Sequence, residues 1–451
     1  MRRHDIRASR SPLRRLRPVL LLPLAFGVAL TLATEDPGGP IAYSGATIIP
    51  VDGPPIPNGV MVVNDGRITA LGPAETTLLP AGGTVVDLSG RTLIPGLICT
   101  HSHLGRGGGG DSAGPIQPEA DIFEAVNIRN AGFRRAVAGG LTTINVMPGS
   151  GHLISGQTTY LKLRDGNTID DLVLRDADGL RLGGLKMANG TNSLRGAPFP
   201  GTRAKSAALV RAKYLAAREY AEKIARAAGD PEKLPSRDLS LEPLVEAMAG
   251  KRVVHHHTHR HDDILTVLRL ANEFGFRVVL HHVSEAWKVA DEIAAAGAAC
   301  SLILIDSPGG KLEARDIDYR NGAILESRGV PVAFHTDDWI TDSRLFLRMA
   351  ALAVRAGMTR EGALRALTLS GAEMLDLEAR TGSLTVGKDA DFVVLDGDPF
   401  SVYTKVLATY VEGRKVFDRS VPEDLLFAEG GRGAGDDQTF QGCCMGRQGA
   451  R

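Results

Sequence analysis

The sequence predicts an α/β protein, a (β/α)8 TIM-type barrel that carries a small β-sandwich built from segments at both ends of the chain. Two observations lead to this fold class. Through the middle of the 451-residue chain, short apolar runs alternate with longer amphipathic runs, as expected when parallel strands alternate with helices. On both sides of this region, short runs rich in β-branched residues are separated by turn signals such as Asp-Gly, which indicates antiparallel strands.

The first 33 residues have the composition of an export signal. A strongly basic stretch precedes an unbroken apolar run from Pro18 to Ala33, which is short for a membrane span and contains two prolines. Small residues follow near the end of the run, as at a cleavage site. We therefore expect residues 1–33 to be removed and the mature protein to be periplasmic or extracellular. An uncleaved membrane anchor is the alternative.

The remaining chain divides by its pattern of apolar residues. The predicted segments are the first part of the sandwich at 41–92, the barrel at 93–375 with a helical insertion at about 191–250, the second part of the sandwich at 376–420, and a disordered Gly-rich tail at 428–451. A doubly wound open sheet is the alternative to a barrel.

Composition narrows the class of partner. Lys plus Arg equals Asp plus Glu at 52 each, so a polyanionic partner such as nucleic acid is not expected. Four cysteines in a chain of this length do not form a disulfide framework. We expect a small-molecule or dipeptide-like substrate and no stable membrane insertion after cleavage of the signal. A homo-oligomer is compatible with the sequence.

The stretch "LIPGLICTHSHLG" carries the strongest local signal for chemistry. His101 and His103 are two positions apart, so on a strand both side chains project from the same face. Two imidazoles at one strand end can chelate one cation, and Zn²⁺ commonly takes nitrogen ligands. The apolar strand before the pair and the Gly-rich loop after it favour a metal site over an isolated His-x-His pattern.

With "GATIIPVDG" before it and "TGSLTVGKDADFVVLDGDPF" near the other end, this stretch resembles the amidohydrolase superfamily. The resemblance extends from about Ile41 to Phe417, and within the superfamily it is to the imidazolonepropionase-like and prolidase-like metal-dependent hydrolases. It implies a (β/α)8 barrel with a small sandwich from both termini, in agreement with the pattern of strands. It also implies a divalent-metal site at the ends of the barrel strands.

A second signal is "RVVHHHTHRH", residues 252–261. A helix is predicted to start at about Asp262, so the preceding strand must end near His257, and active sites of such barrels lie at the C-terminal strand ends. His257 is therefore the predicted ligand, which also fits the superfamily pattern. His259 follows in the loop and is predicted to contact substrate. The tract's remaining histidines are expected to be packing or surface residues: His255, His256 and His261.

The resemblance supplies two more ligands. It places the sixth-strand ligand at His282 and a strand-end carboxylate at Asp337, which can bind metal and move a proton. The neighbouring His281 is expected to face the helical layer, and Asp338 to point away from the barrel axis. At Cys99 the superfamily usually has an Asp that supports the ligands, so the surroundings of the metal are expected to differ here.

Lys186 decides the expected number of metal ions. It lies at the end of the apolar strand in "GLRLGGLKMANG", where a buried, unpaired ammonium would be very unfavourable. The resemblance implies that this lysine is carboxylated by CO₂ and bridges two metal ions, which we expect to be Zn²⁺. The alternative is a lysine paired with a carboxylate at the rim of the barrel.

These features together predict an exported metal-dependent amidohydrolase. Its expected ligands are His101, His103, Lys186, His257, His282 and Asp337. It would use a metal-activated hydroxide to hydrolyse amide or cyclic-amide C–N bonds, for example in dipeptides or N-acyl amino acids. The alternatives are a mononuclear imidazolonepropionase-like or deaminase-type hydrolase, and a catalytically silent binding protein on the same scaffold.

Overall fold

The computed structural model describes residues 39–105, 111, 113–304, 311–338, 340–431 and 434. The predicted signal, residues 1–33, lies outside them. Within the described part of the chain, no helix is long and apolar enough to cross a membrane.

Strands at the two ends of the described chain form one sheet. They are β1 (Ile41–Ile48), β2 (Ile56–Asn64), β3 (Arg67–Pro73), β4 (Thr84–Asp87) and β5 (Thr92–Pro95) before the middle region, then β15 (Phe392–Leu395), β16 (Val406–Val411) and β17 (Arg414–Asp418) after it. The order is β17-β16-β15-β5-β1-β2-β3, with β4 paired to β1. Pro95 lies opposite Phe392 in the antiparallel β5–β15 pair, so this sheet joins the two chain ends.

Local sequence explains the tight β2–β3 hairpin. Asp65 and Gly66 connect the strands with positive φ values of 48° and 74°. A two-residue turn with left-handed conformation at both positions matches the twist of the flanking strands, and Asp-Gly adopts it at low cost. The aromatic core of the sheet again combines both chain ends, since the ring centroid of Phe392 lies 4.9 Å from that of Tyr43 and 4.2 Å from that of Tyr410.

The middle region contains two further sheets. Its strands are β6 (Leu97–Ser102), β7 (Leu141–Val146), β8 (Ile154–Gln157), β9 (Thr159–Lys162), β10 (Leu185–Ala188), β11 (Val254–Thr258), β12 (Val278–His282), β13 (Ala299–Leu302) and β14 (Val332–Phe334). One sheet has the order β14-β13-β12-β11-β10-β8 and the other β6-β7-β9. The ladders are parallel from β10 to β14 and between β6 and β7.

Helices follow most of these parallel strands, and two more helices follow β9 and β17. They are α1 (Ala131–Ala138), α2 (Ile169–Leu172), α3 (Arg203–Ala227), α4 (Glu242–Met248), α5 (His261–Phe274), α6 (Ala290–Ala295), α7 (Asn321–Ser327), α8 (Phe346–Arg355), α9 (Arg360–Leu367), α10 (Leu369–Glu373) and α11 (Pro422–Glu429). Thr202 caps α3 by accepting a hydrogen bond from the Lys205 amide. The predicted mixed α/β class, with parallel strands, is therefore confirmed.

The C-terminal part of the chain differs from its prediction where it is described. Residues 428 and 429 were expected to belong to a disordered tail, but they form the end of α11. Asp418 holds this short helix in place, because its backbone N–H donates a hydrogen bond to the Asp424 carboxylate at 2.9 Å. This hydrogen bond joins α11 to the end of β17. Residues 432, 433 and 435–451 lie outside the described residues.

A buried ion cluster links the middle region to the sheet of chain ends. The Nζ atom of Lys162, on β9, lies 2.9 Å from Oδ2 of Asp389 and 2.5 Å from Oδ2 of Asp391. The lysine side chain is 1% exposed. Both carboxylates belong to the segment that leads into β15, so this cluster fixes the position where the chain returns to the large sheet.

Candidate metal centre

The six predicted ligands lie together at the C-terminal ends of parallel strands. His101 is in β6 and His103 directly follows it, Lys186 is in β10, His257 is in β11, His282 ends β12, and Asp337 follows β14. Polar side chains at this end of a parallel α/β sheet are typical of active sites. The hydrogen bond from the Asp337 amide to the His101 carbonyl, 3.1 Å, connects the ends of β14 and β6.

Four of these side chains form the first half of the site. Nε2 of His103 lies 3.2 Å from Nε2 of His101 and 3.0 Å from Oδ1 of Asp337. The Nδ1–H group of His103 donates to the Met147 carbonyl at 2.8 Å. This hydrogen bond leaves the Nε2 lone pair of His103 facing the cluster, which is the tautomer that a metal ligand requires.

Lys186 completes this half. Its side chain is fully buried, and Nζ lies 3.2 Å from Nε2 of His101 and 3.1 Å from Sδ of Met147. Burial lowers its pKa to about 7, so an appreciable fraction of the amine is uncharged near neutral pH. The described residues give Lys186 no ion pair within 4 Å, which disfavours the alternative of a lysine paired with a rim carboxylate.

Asp337 has the charge state of a proton acceptor. Burial opposes its ionisation, but the basic groups around it, among them His103 and Lys186, hold the pKa of the carboxyl below its ordinary value. The backbone of Asp337 is left-handed, with φ of 49°. This uncommon conformation for a residue other than glycine places the side chain against His101 and His103.

The second half of the site consists of histidines from β11 and β12. The ring centroid of His257 lies 4.2 Å from that of His282 and 4.7 Å from that of His259. His282 also connects the two halves, because its ring lies 5.0 Å from that of His101. His259, predicted to contact substrate, is thus beside two predicted ligands; its substrate contact stays a prediction.

Unpartnered ring nitrogens show that the site fits a cation. Five buried ring nitrogens of the histidines at these strand ends have no hydrogen-bond partner among the described residues: His101 Nδ1, His257 Nδ1, His259 Nε2, His281 Nδ1 and His282 Nε2. Buried polar atoms without partners are rare. Burial also lowers the pKa of each of these histidines. The rings are therefore neutral, as metal ligands must be.

The structure contradicts the expectation that His281 faces the helical layer. In the parallel β11–β12 ladder His281 is paired with His257, so both side chains point to the interior. Nε2 of His281 lies 3.0 Å from Nδ1 of His255, and Nε2 of His255 lies 3.0 Å from the Tyr160 hydroxyl. His282 reaches the same side because its backbone is left-handed, with φ of 70°.

His335 is a buried site residue that the sequence interpretation did not consider. Its ring stacks on His101 with a centroid distance of 5.0 Å, and its Nε2 lies 3.2 Å from Nδ1 of His282. A signal was present in the sequence. His335 is two positions before Asp337, and this spacing places both at the same strand end.

Three other residues of this region were predicted to lie outside the metal site: His256, His261 and Asp338. His256 is buried and donates from Nδ1 to its neighbour's carbonyl, whereas His261 is partly exposed and lies 2.6 Å from Glu285. Asp338 accepts hydrogen bonds from the hydroxyls of Ser102 and Thr336 at 2.7 Å. These three residues are placed as packing or surface groups, outside the candidate metal groups among the described residues.

Cys99 supports the backbone of the site. Its thiol lies 3.1 Å from the His101 carbonyl and 3.3 Å from Oγ1 of Thr336. Burial raises the pKa of the thiol to about 12, so the thiol is protonated when no metal ion is bound. Cys99 is absent from the metal-capable groups that the described residues form.

Comparison with known proteins agrees with this site. The model of the Amidohydrolase family matches residues 92–418, and the chain therefore belongs to that family. The predicted superfamily is confirmed, and with it the enzyme class, a hydrolase of carbon–nitrogen bonds. The family implies a divalent metal ion, which the histidine clusters are suited to hold.

Three relatives define the similarity more closely. An amidohydrolase structure from Thermotoga maritima MSB8 is 30% identical, with a TM-score of 0.78 over 84% of this chain and 100% of that chain. An imidazolonepropionase from Symbiobacterium thermophilum is 25% identical over 89% of this chain and 98% of its own. Amidohydrolase tasK from Hapsidospora irregularis is 26% identical over 80% of this chain, which spans only 40% of the tasK length.

Proposed function

We propose that the protein is a dinuclear metal-dependent hydrolase of amide or cyclic-amide bonds. The observation that carries the proposal is the convergence of six side chains predicted as ligands at one end of the parallel strands. His101, His103 and Asp337 would hold one cation, and His257 and His282 the other. Lys186, as a carbamate, would bridge them, and its buried amine of lowered pKa beside His101 supports this role.

The imidazole side chains and the Asp337 carboxylate have different roles in the proposed reaction. Bound divalent metal ions supply an activated water near neutral pH and polarise the scissile carbonyl. The buried neutral imidazoles hold the cations and keep bulk water away from the reacting groups. The ionised Asp337 carboxylate, 3.0 Å from His103, takes the proton of the attacking water and passes it to the leaving nitrogen.

Dipeptides and N-acyl amino acids are our preferred substrates because they fit the proposed location outside the cytoplasm, and cyclic amides are the second candidate. The second candidate is favoured by the imidazolonepropionase relative, which aligns over 98% of its own length. Activity on a panel of dipeptides, N-acyl amino acids and cyclic amides separates them. The composition of residues 1–33 supports export as part of the proposal, and the N-terminal sequence of protein recovered outside the cytoplasm tests it.

The proposal includes the predicted architecture, a (β/α)8-type barrel with a sandwich from both chain ends. Its support comes from the way the two sheets of the middle region adjoin. A single residue, Thr158, separates β8 of one sheet from β9 of the other. At the opposite edges, the ends of β6 and β14 are joined through the His101 carbonyl and the Asp337 amide.

Metal content per chain tests the dinuclear centre. We expect mature protein supplied with bicarbonate and Zn²⁺ to hold two ions per chain by elemental mass spectrometry. The Lys186→Ala variant should hold fewer, because the carbamate bridge cannot form. Lys251→Ala, which changes an exposed lysine, is the matched control and should keep both ions.

Two other outcomes would replace the proposal. One ion per chain in the wild-type protein, unchanged in Lys186→Ala, would indicate a mononuclear imidazolonepropionase-like or deaminase-type enzyme. Absence of metal from wild-type protein under these conditions would leave the silent binding protein.

A further inference from the structure

We propose that His257, His259 and His282 form a metal site that is complete without Lys186, with His259 as a ligand rather than a substrate contact. One ring nitrogen from each of them lies within 4.8 Å of those from the other two, and all three side chains are buried. The inference rests on one part of the proposed function, namely that the chain binds divalent metal ions at these strand ends.

The hydrogen bonds of His259 direct one nitrogen to this group. Its Nδ1–H donates to Oγ of Ser284 at 2.8 Å, so Nε2 carries the lone pair. That Nε2 atom is buried and has no partner among the described residues. A ligating histidine characteristically donates its other N–H group to an oxygen in this way, which fixes both tautomer and ring orientation.

A longer chain of hydrogen bonds orients His282. Nδ1–H of His282 donates to Nε2 of His335 at 3.2 Å, and Nδ1–H of His335 donates to Oγ of Ser301 at 2.7 Å. The Ser301 hydroxyl donates to Oγ1 of Thr100 at 2.6 Å, and the Thr100 hydroxyl is directed at the Phe334 carbonyl at 3.5 Å. A carbonyl can only accept, so a Thr100 hydroxyl that donates to Phe334 gives the chain one polarity, in which the Nε2 lone pair of His282 faces the site.

His257 is held by Asn192. The Asn192 amide lies 3.1 Å from Nε2 of His257, and Nδ1 of His257 is the buried nitrogen without a described partner. A half-turn of the amide presents its oxygen instead of its NH₂ group. Nε2–H then donates to that oxygen, and Nδ1 becomes the ligand atom.

The same reasoning disfavours the neighbouring group of His101, His281 and His335. Both ring nitrogens of His335 already have partners, in His282 and Ser301, so His335 has no free lone pair to offer. In the proposed group each histidine has one oriented nitrogen and one free nitrogen. Three nitrogen ligands suit Zn²⁺ and leave a fourth position for water or substrate, as in catalytic zinc sites.

This site can be studied alone in a variant protein that lacks Lys186, which we call the background protein. We would prepare the His103→Ala/Lys186→Ala protein, load it with Zn²⁺, and measure ions per chain and the Zn²⁺ dissociation constant. The expected result is one ion per chain. Adding His259→Ala should then weaken Zn²⁺ binding by more than about 100-fold, because loss of a ligand exceeds the effect of losing an outer partner.

Two matched variants sharpen the test. In the same background, His261→Ala changes a histidine of the same tract that points to Glu285, and it should leave the Zn²⁺ affinity unchanged. Ser284→Ala removes only the oxygen that orients His259 and should weaken binding by about 10- to 100-fold. Equal thermal unfolding of the metal-free proteins would show that differences in metal affinity do not arise from misfolding.

The inference is overturned if the background protein binds no ion while wild type binds two. It is also overturned if His259→Ala leaves the Zn²⁺ affinity of the background unchanged. Either result would leave the carbamate-bridged centre standing. Wild-type protein without metal would instead remove the proposed function and this site together.

Discussion

Replacing Asp337 by Asn is expected to lower kcat by about 10²- to 10⁴-fold, the usual contribution of a positioned acid–base group. An amide keeps an oxygen for the metal but cannot take a proton from water. Asn also tolerates the left-handed backbone at this position, where φ is 49°, so the fold should not change. The measurement is kcat on an amide substrate together with metal content, which should remain at the wild-type value.

Asp338→Asn is the comparison for this prediction. Asp338 is also buried, but it accepts hydrogen bonds from Ser102, Thr336 and Ser343 rather than facing the ligands. Its variant should lose thermal stability and keep most of its activity. Full activity of a metal-loaded Asp337→Asn protein would remove Asp337 as the proton carrier.

Replacing Lys162 by Met is expected to lower the free energy of unfolding by about 3–5 kcal/mol, as when one partner of a buried ion pair is removed. Asp389 and Asp391 are 3% and 2% exposed and would each lose the ammonium group that lies within 2.9 Å. Asp389 would keep Arg67 and Arg380 nearby, whereas Asp391 would keep only hydrogen bonds. Denaturant unfolding measures the change.

Arg67→Met is the comparison variant for the loss of stability expected of Lys162→Met. Its guanidinium pairs with Asp389 at 3.2 Å, but the side chain is 49% exposed, so its loss should cost about 0–1 kcal/mol. A Lys162→Met/Asp391→Asn protein should recover part of the lost stability, because one uncompensated charge is removed. A loss for Lys162→Met no larger than that for Arg67→Met would contradict the role given to the buried cluster.

Local spacing predicted some of the strand ends that carry candidate ligands, and the resemblance to the superfamily supplied His282 and Asp337. His101 and His103 followed from the two-residue period of a strand, and His257 from the position of the next helix. These arguments work because they need only local spacing. They also explain why strands from both chain ends were expected, since the same alternation recurs before residue 92 and after residue 392.

The orientation of His281 was beyond such reasoning, for two physical reasons. Which side of a strand faces the interior depends on its register with a neighbour, here the pairing of His281 with His257. In addition, a strand period assumes regular backbone, and His282 and Val283 leave it with φ values of 70° and 39°. Both His281 and His282 can therefore face inward, which simple alternation forbids.

His335 shows a different limit. A strand-end histidine in an apolar segment is visible in the sequence, but its importance depends on contacts with residues far away in the chain. Its partners Ser301 and His282 are 34 and 53 positions distant. Only the assembled sheet shows that His335 orients a predicted ligand.

The pairing of β5 with β15 also has a consequence for biosynthesis. Pro95 pairs with Phe392, so β5 cannot pair with β15 until the ribosome has synthesised about 300 further residues. At ribosomal rates of about 5–20 residues per second, that interval lasts roughly 15–60 s. During this time the nascent chain presents one edge of β5 without its final neighbour, and an open strand edge is a template for association with other chains. The ribosome-bound intermediate, rather than the finished enzyme, is therefore the species most in need of a chaperone.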